Sequence, residues 1–147
     1  MKLSDTIRRL ITNAWTDGYP CLVGTAGQDG PNISPKGSLF LFDDDHFAYW
    51  ERSKRQALEN LRHDNRVIIV YCNMKAQADK ILESGILRFH GRAELHESGP
   101  MRDAIFARLS EREATHVGAD TGLGVLVRIE RAEDVRGKPL DGGGSRS

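Results

Sequence analysis

Cysteine is scarce in this chain of 147 residues: only Cys21 and Cys72 occur, with no C-x-x-C spacing, so nothing supports a disulfide framework or a dithiol redox motif. Both sit in strand-like apolar runs and are expected to be buried, reduced thiols with no chemistry of their own. Net charge is absent as well. Lys plus Arg and Asp plus Glu number 21 each, so the overall charge gives no footing for a nucleic-acid or anionic-membrane partner. Long apolar runs are missing too. Stretches such as Val67 to Cys72 are far too short to cross a bilayer, and no charged-then-apolar start resembles a signal peptide, so a cytoplasmic location is expected. His46, His63, His90, His96 and His116 show no metal-ligand spacing, and no G-x-S-x-G nucleophile motif is present. Gly24, Gly27 and Gly30 lack the G-K-[ST] ending of a phosphate loop and read as part of a hairpin turn. Asp43-Asp44-Asp45 lacks the spaced oxygens of a calcium loop and reads as a turn.

What is present is the balance of a globular protein, 39% hydrophobic and 29% charged residues, with length for one core and little more. Leu3, Ile7, Leu10, Ile11 and Ala14 with Trp15 fall at helical spacing behind Ser4, a candidate cap, and predict an opening amphipathic helix ending near Asp17-Gly18. Pro20 to Ala26 and Asn32 to Phe42 read as two strands of an antiparallel hairpin. His46 to Trp50 reads as a third strand, Ser53 to His63 as a short helix, and Arg66 to Asn73 as a fourth strand. Gly85 to His96 alternates cleanly, with Leu87, Phe89, Gly91, Ala93 and Leu95 on one face. Ser98 and Pro100 open a helix running to about Arg112, and Leu123 to Ile129 forms the last strand. About six strands joined mostly by short turns predict a mainly β fold, a six-stranded antiparallel barrel with peripheral helices, in one domain over 1–140. The Gly-, Ser- and charge-rich segment 141–147 is expected to be disordered.

Two segments point to chemistry. Alternation places Asn32, Ser34, Lys36 and Ser38 on one face of the second strand, a donor-rich strip in which Pro35 and Gly37 signal an edge, a bulge or close approach to a ligand. In Trp50-Glu51-Arg52-Ser53-Lys54-Arg55-Gln56, Ser53 and Gln56 have capping-box spacing at a helix start ringed by basic residues, a setting that holds phosphate. The adjoining strands make the two segments neighbours, with Lys36 directed at the same anion. Each segment also has a plain reading: a solvated strand face with a twist defect, and an ordinary helix cap.

Together these residues resemble the pyridoxamine 5′-phosphate oxidase superfamily, the FMN-binding split barrels. The resemblance runs from Asp29-Gly30-Pro31-Asn32-Ile33-Ser34-Pro35-Lys36-Gly37-Ser38, through the acidic turn and Phe47-Ala48-Tyr49-Trp50, to Ser53-Lys54-Arg55 with Ala57, Leu58, Asn60 and Leu61, and then Asn65-Arg66-Val67; Gly91 also suits it. It implies a homodimer with flavin mononucleotide at the subunit interface. Lys36, Ser53, Lys54 and Arg55 would hold the phosphate, Ser34 and Pro35 would lie near the ring or ribityl chain, and Tyr49 and Trp50 would form the neighbouring wall. The aromatic and arginine substrate motif of true pyridoxamine phosphate oxidases has no counterpart here, so vitamin B6 phosphate oxidation is not implied. Relatives that bind haem or a deazaflavin (F420) keep those cofactors in view. The leading reading is thus an FMN-dependent oxidoreductase acting on a small molecule with an electron donor; the alternatives are a flavin- or haem-binding sensor or carrier without turnover, and a barrel used only for protein association.

Overall fold

The computed structural model describes residues 1–52 and 55–140. Helix α1 (Asp5–Thr12) starts where predicted: the Ser4 hydroxyl accepts from the Ile7 N–H, satisfying one of the first-turn donors that helix geometry leaves without a partner. Its Ile7 and Ile11 face the core. Strands β1 (Leu22–Thr25), β2 (Asn32–Pro35), β3 (Phe40–Asp43) and β4 (His46–Glu51) follow, then α2 (Gln56–His63), β5 (Arg66–Cys72), a short α3 (Met74–Ala78) and β6 (Ile86–His96). Helices α4 (Pro100–Ala107) and α5 (Glu111–Ala114), a 3₁₀ turn at Ala119–Thr121 and β7 (Leu123–Asp134) complete the order. The predicted helix from Ser98 to Arg112 is two helices, broken at Arg108–Ser110, where the Ser110 hydroxyl caps α5 by accepting from Glu113 N–H.

The sheet has seven strands in the order β2-β1-β5-β6-β7-β4-β3, every neighbouring pair antiparallel. The expectation of six strands is corrected because the run from Asn32 to Phe42 is not one strand: Lys36 to Leu39 form a turn that splits it into β2 and β3. Those two strands are the opposite edges of the sheet, yet only four residues separate them. A chain reaches at most ~3.3–3.6 Å per residue, so the sheet must curl until these edges approach one another at the turn, while no ladder joins β2 to β3; the result is a split barrel. The turn stitches the seam. The Lys36 N–H donates to the Cys21 carbonyl at 3.1 Å, on the β1 side. On the β4 side the Ser38 hydroxyl donates to the Trp50 carbonyl and accepts from the Trp50 N–H, at 3.2 and 3.0 Å.

Alternation along the strands divides the side chains into two packed regions. Val23, Phe47, Tyr49, Ile69, Tyr71, Leu87, Phe89, Val125 and Val127 fill the barrel with the α1 face. On the outside, Ala48, Trp50 and Leu126 pack under α4 against Ile105 and Phe106. The acidic turn is a turn: Asp43 Oδ1 accepts from the Asp45 N–H, while Asp44 and Asp45 bind Arg8 and the Met1 amino group, tying α1 to β3 and β4.

Both cysteines are free, but only Cys21 is buried; Cys72 is exposed, because the β5 alternation that turns Tyr71 into the barrel turns its neighbour out. Burial pushes the Cys21 thiol up to about 12, so it stays protonated and inert at neutral pH. An aromatic disulfide reagent should therefore titrate one thiol per native chain and two in denaturant; two reactive thiols in the native protein would show that the β1 end of the barrel opens.

Candidate functional site

The turn that closes the barrel also builds a pocket. Ser34, Pro35, Lys36, Gly37 and Ser38 line a cavity of about 280 Å³ with Trp50, Glu51, Arg52 and, from α5, Glu113. Ser34 and Asn32 share one face of β2, the Asn32 side-chain amide donating to the Ser34 hydroxyl at 3.2 Å; Ile33 and Pro35 point the other way and are exposed. The strand ends at Pro35, which has no N–H for a further ladder bond, and this frees Lys36 to turn inward. Its ammonium donates to both oxygens of Glu51 at 3.0 and 3.3 Å and lies 5.5 Å from the centre of the Tyr49 ring. The pair is nearly dry, with side-chain exposures of 13% and 3%.

Glu113 is a second buried carboxylate, held by Arg112 at 2.5 Å and Arg52 at 3.8 Å. The charged groups of the pocket lining, Lys36 and Arg52 against Glu51 and Glu113, balance. Sequence reasoning missed both acids. Glu51 continues the inward positions Phe47 and Tyr49, a period-two signal that could have marked it as an acid directed into the barrel. Glu113 carries no such signal, since only tertiary packing brings α5 to the turn.

The predicted residues are placed as follows. Ser34, Pro35, Lys36 and Trp50 meet in the pocket lining. Tyr49 does not line it: the ring is fully buried in the barrel, its hydroxyl has no hydrogen-bond partner among the described residues, and burial drives the phenol far above its ordinary value. The Trp50 ring sits on the opposite face, its indole N–H donating to the Ala119 carbonyl at 2.8 Å, with Arg102 stacked over it and Phe106 edge-on. Tyr49 and Trp50 therefore do not form one wall, because successive residues of a strand face opposite ways. Ser53 and Lys54 lie outside the described residues, and the expected capping box with them. Helix α2 begins at Gln56 with Arg55 as its N-cap residue and no side-chain cap; Arg55 is exposed. Among the described residues no side chain caps the first turn of α2, which follows the Glu51–Arg52 strand exit in the chain.

Asn60 explains why α2 sits here. Its buried side-chain amide donates to the Thr25 hydroxyl at 3.1 Å and to the Gly30 carbonyl at 3.3 Å, and its oxygen accepts from Gln56 at 2.7 Å. Gly27 lies so close that a Cβ there would run into the Asn60 amide, so hairpin and helix are clamped together.

A larger hollow of about 540 Å³ lies elsewhere, lined by Gly24, Pro31, Ile33, Arg66, Ile68 and His90 among others. On this outer face the cross-strand rows Ile33–Gly24–Ile68–His90 and Pro35–Leu22–Val70–Arg88 run over β2, β1, β5 and β6. No cluster of three or more metal-ligating side chains is found among the described residues, and none of their helices is long and apolar enough to cross a membrane.

A rolled antiparallel sheet, sealed by a turn that carries a polar pocket, defines a split-barrel protein. The pyridoxamine 5′-phosphate oxidase family model matches residues 7–135, and the chain belongs to that family. Among solved structures it is similar to HupZ of Group A Streptococcus, at 23% identity over 95% of this chain and 99% of that one, with a TM-score of 0.73. An FMN-binding protein from Syntrophomonas wolfei shares 16% identity over 88% and 86% of the two chains, TM-score 0.59. HutZ, described as a heme storage protein from Vibrio cholerae, shares 15% over 91% and 95%, TM-score 0.64. At these identities the likeness shows the fold. No curated protein matches the chain.

Proposed function

We propose that this protein binds flavin mononucleotide beside the closure turn, at an interface between two copies of the chain, and uses it as an oxidoreductase on a small molecule. The observation that carries this reading is the meeting of Ser34, Pro35, Lys36, Glu51 and Arg52 in one pocket, four residues along the chain from the start of α2, where no side-chain cap is found among the described residues. A helix N-terminus with a basic residue at its start suits a phosphate, and Arg55 is the N-cap residue of α2. Lys36 is a less free partner than its place in the strand implies, since an anion would have to draw it from Glu51. When bound, the flavin supplies the hydride or electron transfer. The protein's residues bind and orient: α2 and Arg55 the phosphate, Ser34 a polar contact for the chain of the cofactor, and the Lys36–Glu51 pair a fixed charge at the barrel mouth.

The cavity of about 280 Å³ is below the range of roughly 300–1,000 Å³ usual for ligand pockets. A second copy would complete it, and the apolar face of exposed Ile33 and Pro35 with half-buried Leu22, Ile68 and Val70 is the surface for that copy. Light scattering of the purified protein should give twice the chain mass.

The test is the visible spectrum after adding FMN and removing the excess. Retained oxidised-flavin bands are expected, and Arg55→Ala should weaken binding by about 1–3 kcal/mol, roughly 5- to 150-fold. Sustained reduction and reoxidation with NADH or NADPH then separates an enzyme from a carrier. Loss of all flavin on desalting, at every FMN concentration, refutes the assignment.

One observation favours a second reading, a haem carrier. The hollow over β1, β2, β5 and β6 combines apolar walls, Ile33 and Ile68, with Arg66 and His90, and the buried His90 Nε2 makes no hydrogen bond among the described residues, facing Glu133 Oε2 at 3.5 Å. Imidazole is a haem iron ligand and a guanidinium suits a propionate. A Soret band abolished by His90→Ala would favour this reading over flavin.

A further inference from the structure

Behind the closure turn, on the side away from Glu51, lies a separate cavity of about 360 Å³. Thr12 at the end of α1, Trp15 and Thr16 just after it, Gly37 to Phe40, and Arg108 to Ser110 with Arg112 line it. Its charged side chains are two arginines and no acid, in a chain whose overall charge is zero. Arg108 stacks over Phe40 and Phe42, at 4.9 and 5.0 Å, and donates to the carbonyls of Phe42 and Leu41 at 2.6 and 3.3 Å. No carboxylate pairs with it among the described residues. Arg112 stacks over Trp15 at 4.9 Å and donates to Glu113 at 2.5 Å and the Gly37 carbonyl at 3.4 Å. Each guanidinium therefore spends two of its roughly five N–H donors on the protein. Stacking and carbonyl bonds hold both planes in place, so their remaining donors are pre-organised. The Trp15 indole is 46% exposed, although its family of large aromatics usually hides such area.

We propose that this cavity binds a flat-ring anion, an aromatic or heteroaromatic ring bearing a phosphate or carboxylate, with the oxyanion between Arg108 and Arg112 and the ring against Trp15. Guanidinium donors match oxyanions in pairs, and an indole edge or face suits a planar ring. The site is a cavity distinct from the flavin pocket: the two linings share Gly37 and Ser38, and Arg112 also holds Glu113 of the flavin pocket.

The chain has two tryptophans, and only Trp15 touches this cavity, while the Trp50 indole is buried and bonded to Ala119. In a ¹H–¹⁵N spectrum of the full chain, adenosine 5′-monophosphate or benzoate should shift the Trp15 indole resonance saturably and leave that of Trp50 in place. A response to the first probe alone assigns the oxyanion as phosphate; to the second alone, as carboxylate. Adenosine, without the charge, should bind at least tenfold more weakly. Arg108→Gln and Arg112→Gln should each cut affinity at least fivefold, and a dispersed spectrum in either one suffices to show the fold intact. Repeating the titration with FMN in excess should leave the response unchanged. No shift with either anion, an equal response to adenosine, equal affinity in both variants, or full competition by FMN would overturn the proposal.

Discussion

Replacing Lys36 by methionine is expected to destabilise the protein by about 3–5 kcal/mol, the usual cost of stripping a buried ion pair of one partner. Glu51 is 2% exposed, and Lys36 is its only side-chain partner among the described residues. Without the ammonium the carboxylate is left buried without its counter-charge. The double variant Lys36→Met, Glu51→Leu should recover most of the loss, because removing both charges removes the desolvation debt along with the attraction. Urea denaturation of the four proteins in the cycle reads this directly. Equal midpoints for the single variant and the wild type would show that the barrel mouth is wet and the pair worth no more than a surface contact. The same variants bear on the flavin. Glu51→Gln releases Lys36 from its carboxylate and should tighten FMN binding, whereas Lys36→Met should loosen it; if neither moves the affinity, the phosphate is held at α2 alone.

Gly91→Ala is the other change with a large expected effect, about 3 kcal/mol, at the upper end of what overpacking usually costs. Gly91 lies at the register shift in the middle of β6, opposite Val67 on β5 and Ile129 on β7. A Cβ there would run into the Arg128 carbonyl and stand 2.8 Å from Val127 Cγ1. A flexible side chain could swing aside, but the obstacle is the backbone of the next strand, fixed on both edges by the ladder. For a chain of this length the melting temperature should fall by roughly 10 °C. A melt within a degree or two of wild type would mean that the bulge relaxes without cost, and that β6 and β7 slide more freely than their ladder implies.

The particular elements show where local pattern suffices. Ser4 caps α1, Asp43 to Asp45 make a turn, and Leu87, Phe89, Gly91 and Ala93 line one face of β6, because caps, turns and alternation depend on residues within a few positions of one another. The order of these elements was enough to mark the family, and it drew attention to Ser34, Pro35 and Lys36, which do line one pocket. Tyr49 and Trp50 were legible in principle, since a period of two separates neighbouring residues, yet their common aromaticity suggested a single wall. The exposure of Cys72 follows the same rule at the end of β5.

What the sequence by itself determined was therefore most of the strands, the succession of elements along the chain and the polar segment that borders the site. Only the tertiary structure decided that this segment breaks at Lys36 and seals the barrel, that Glu51 neutralises the lysine, and that Glu113, Arg108 and Arg112 arrive on either side of the turn. The reason is physical. Backbone periodicity is a property of near neighbours, whereas the partner of a buried charge is settled by which distant strand or helix the rolled sheet brings within hydrogen-bond reach.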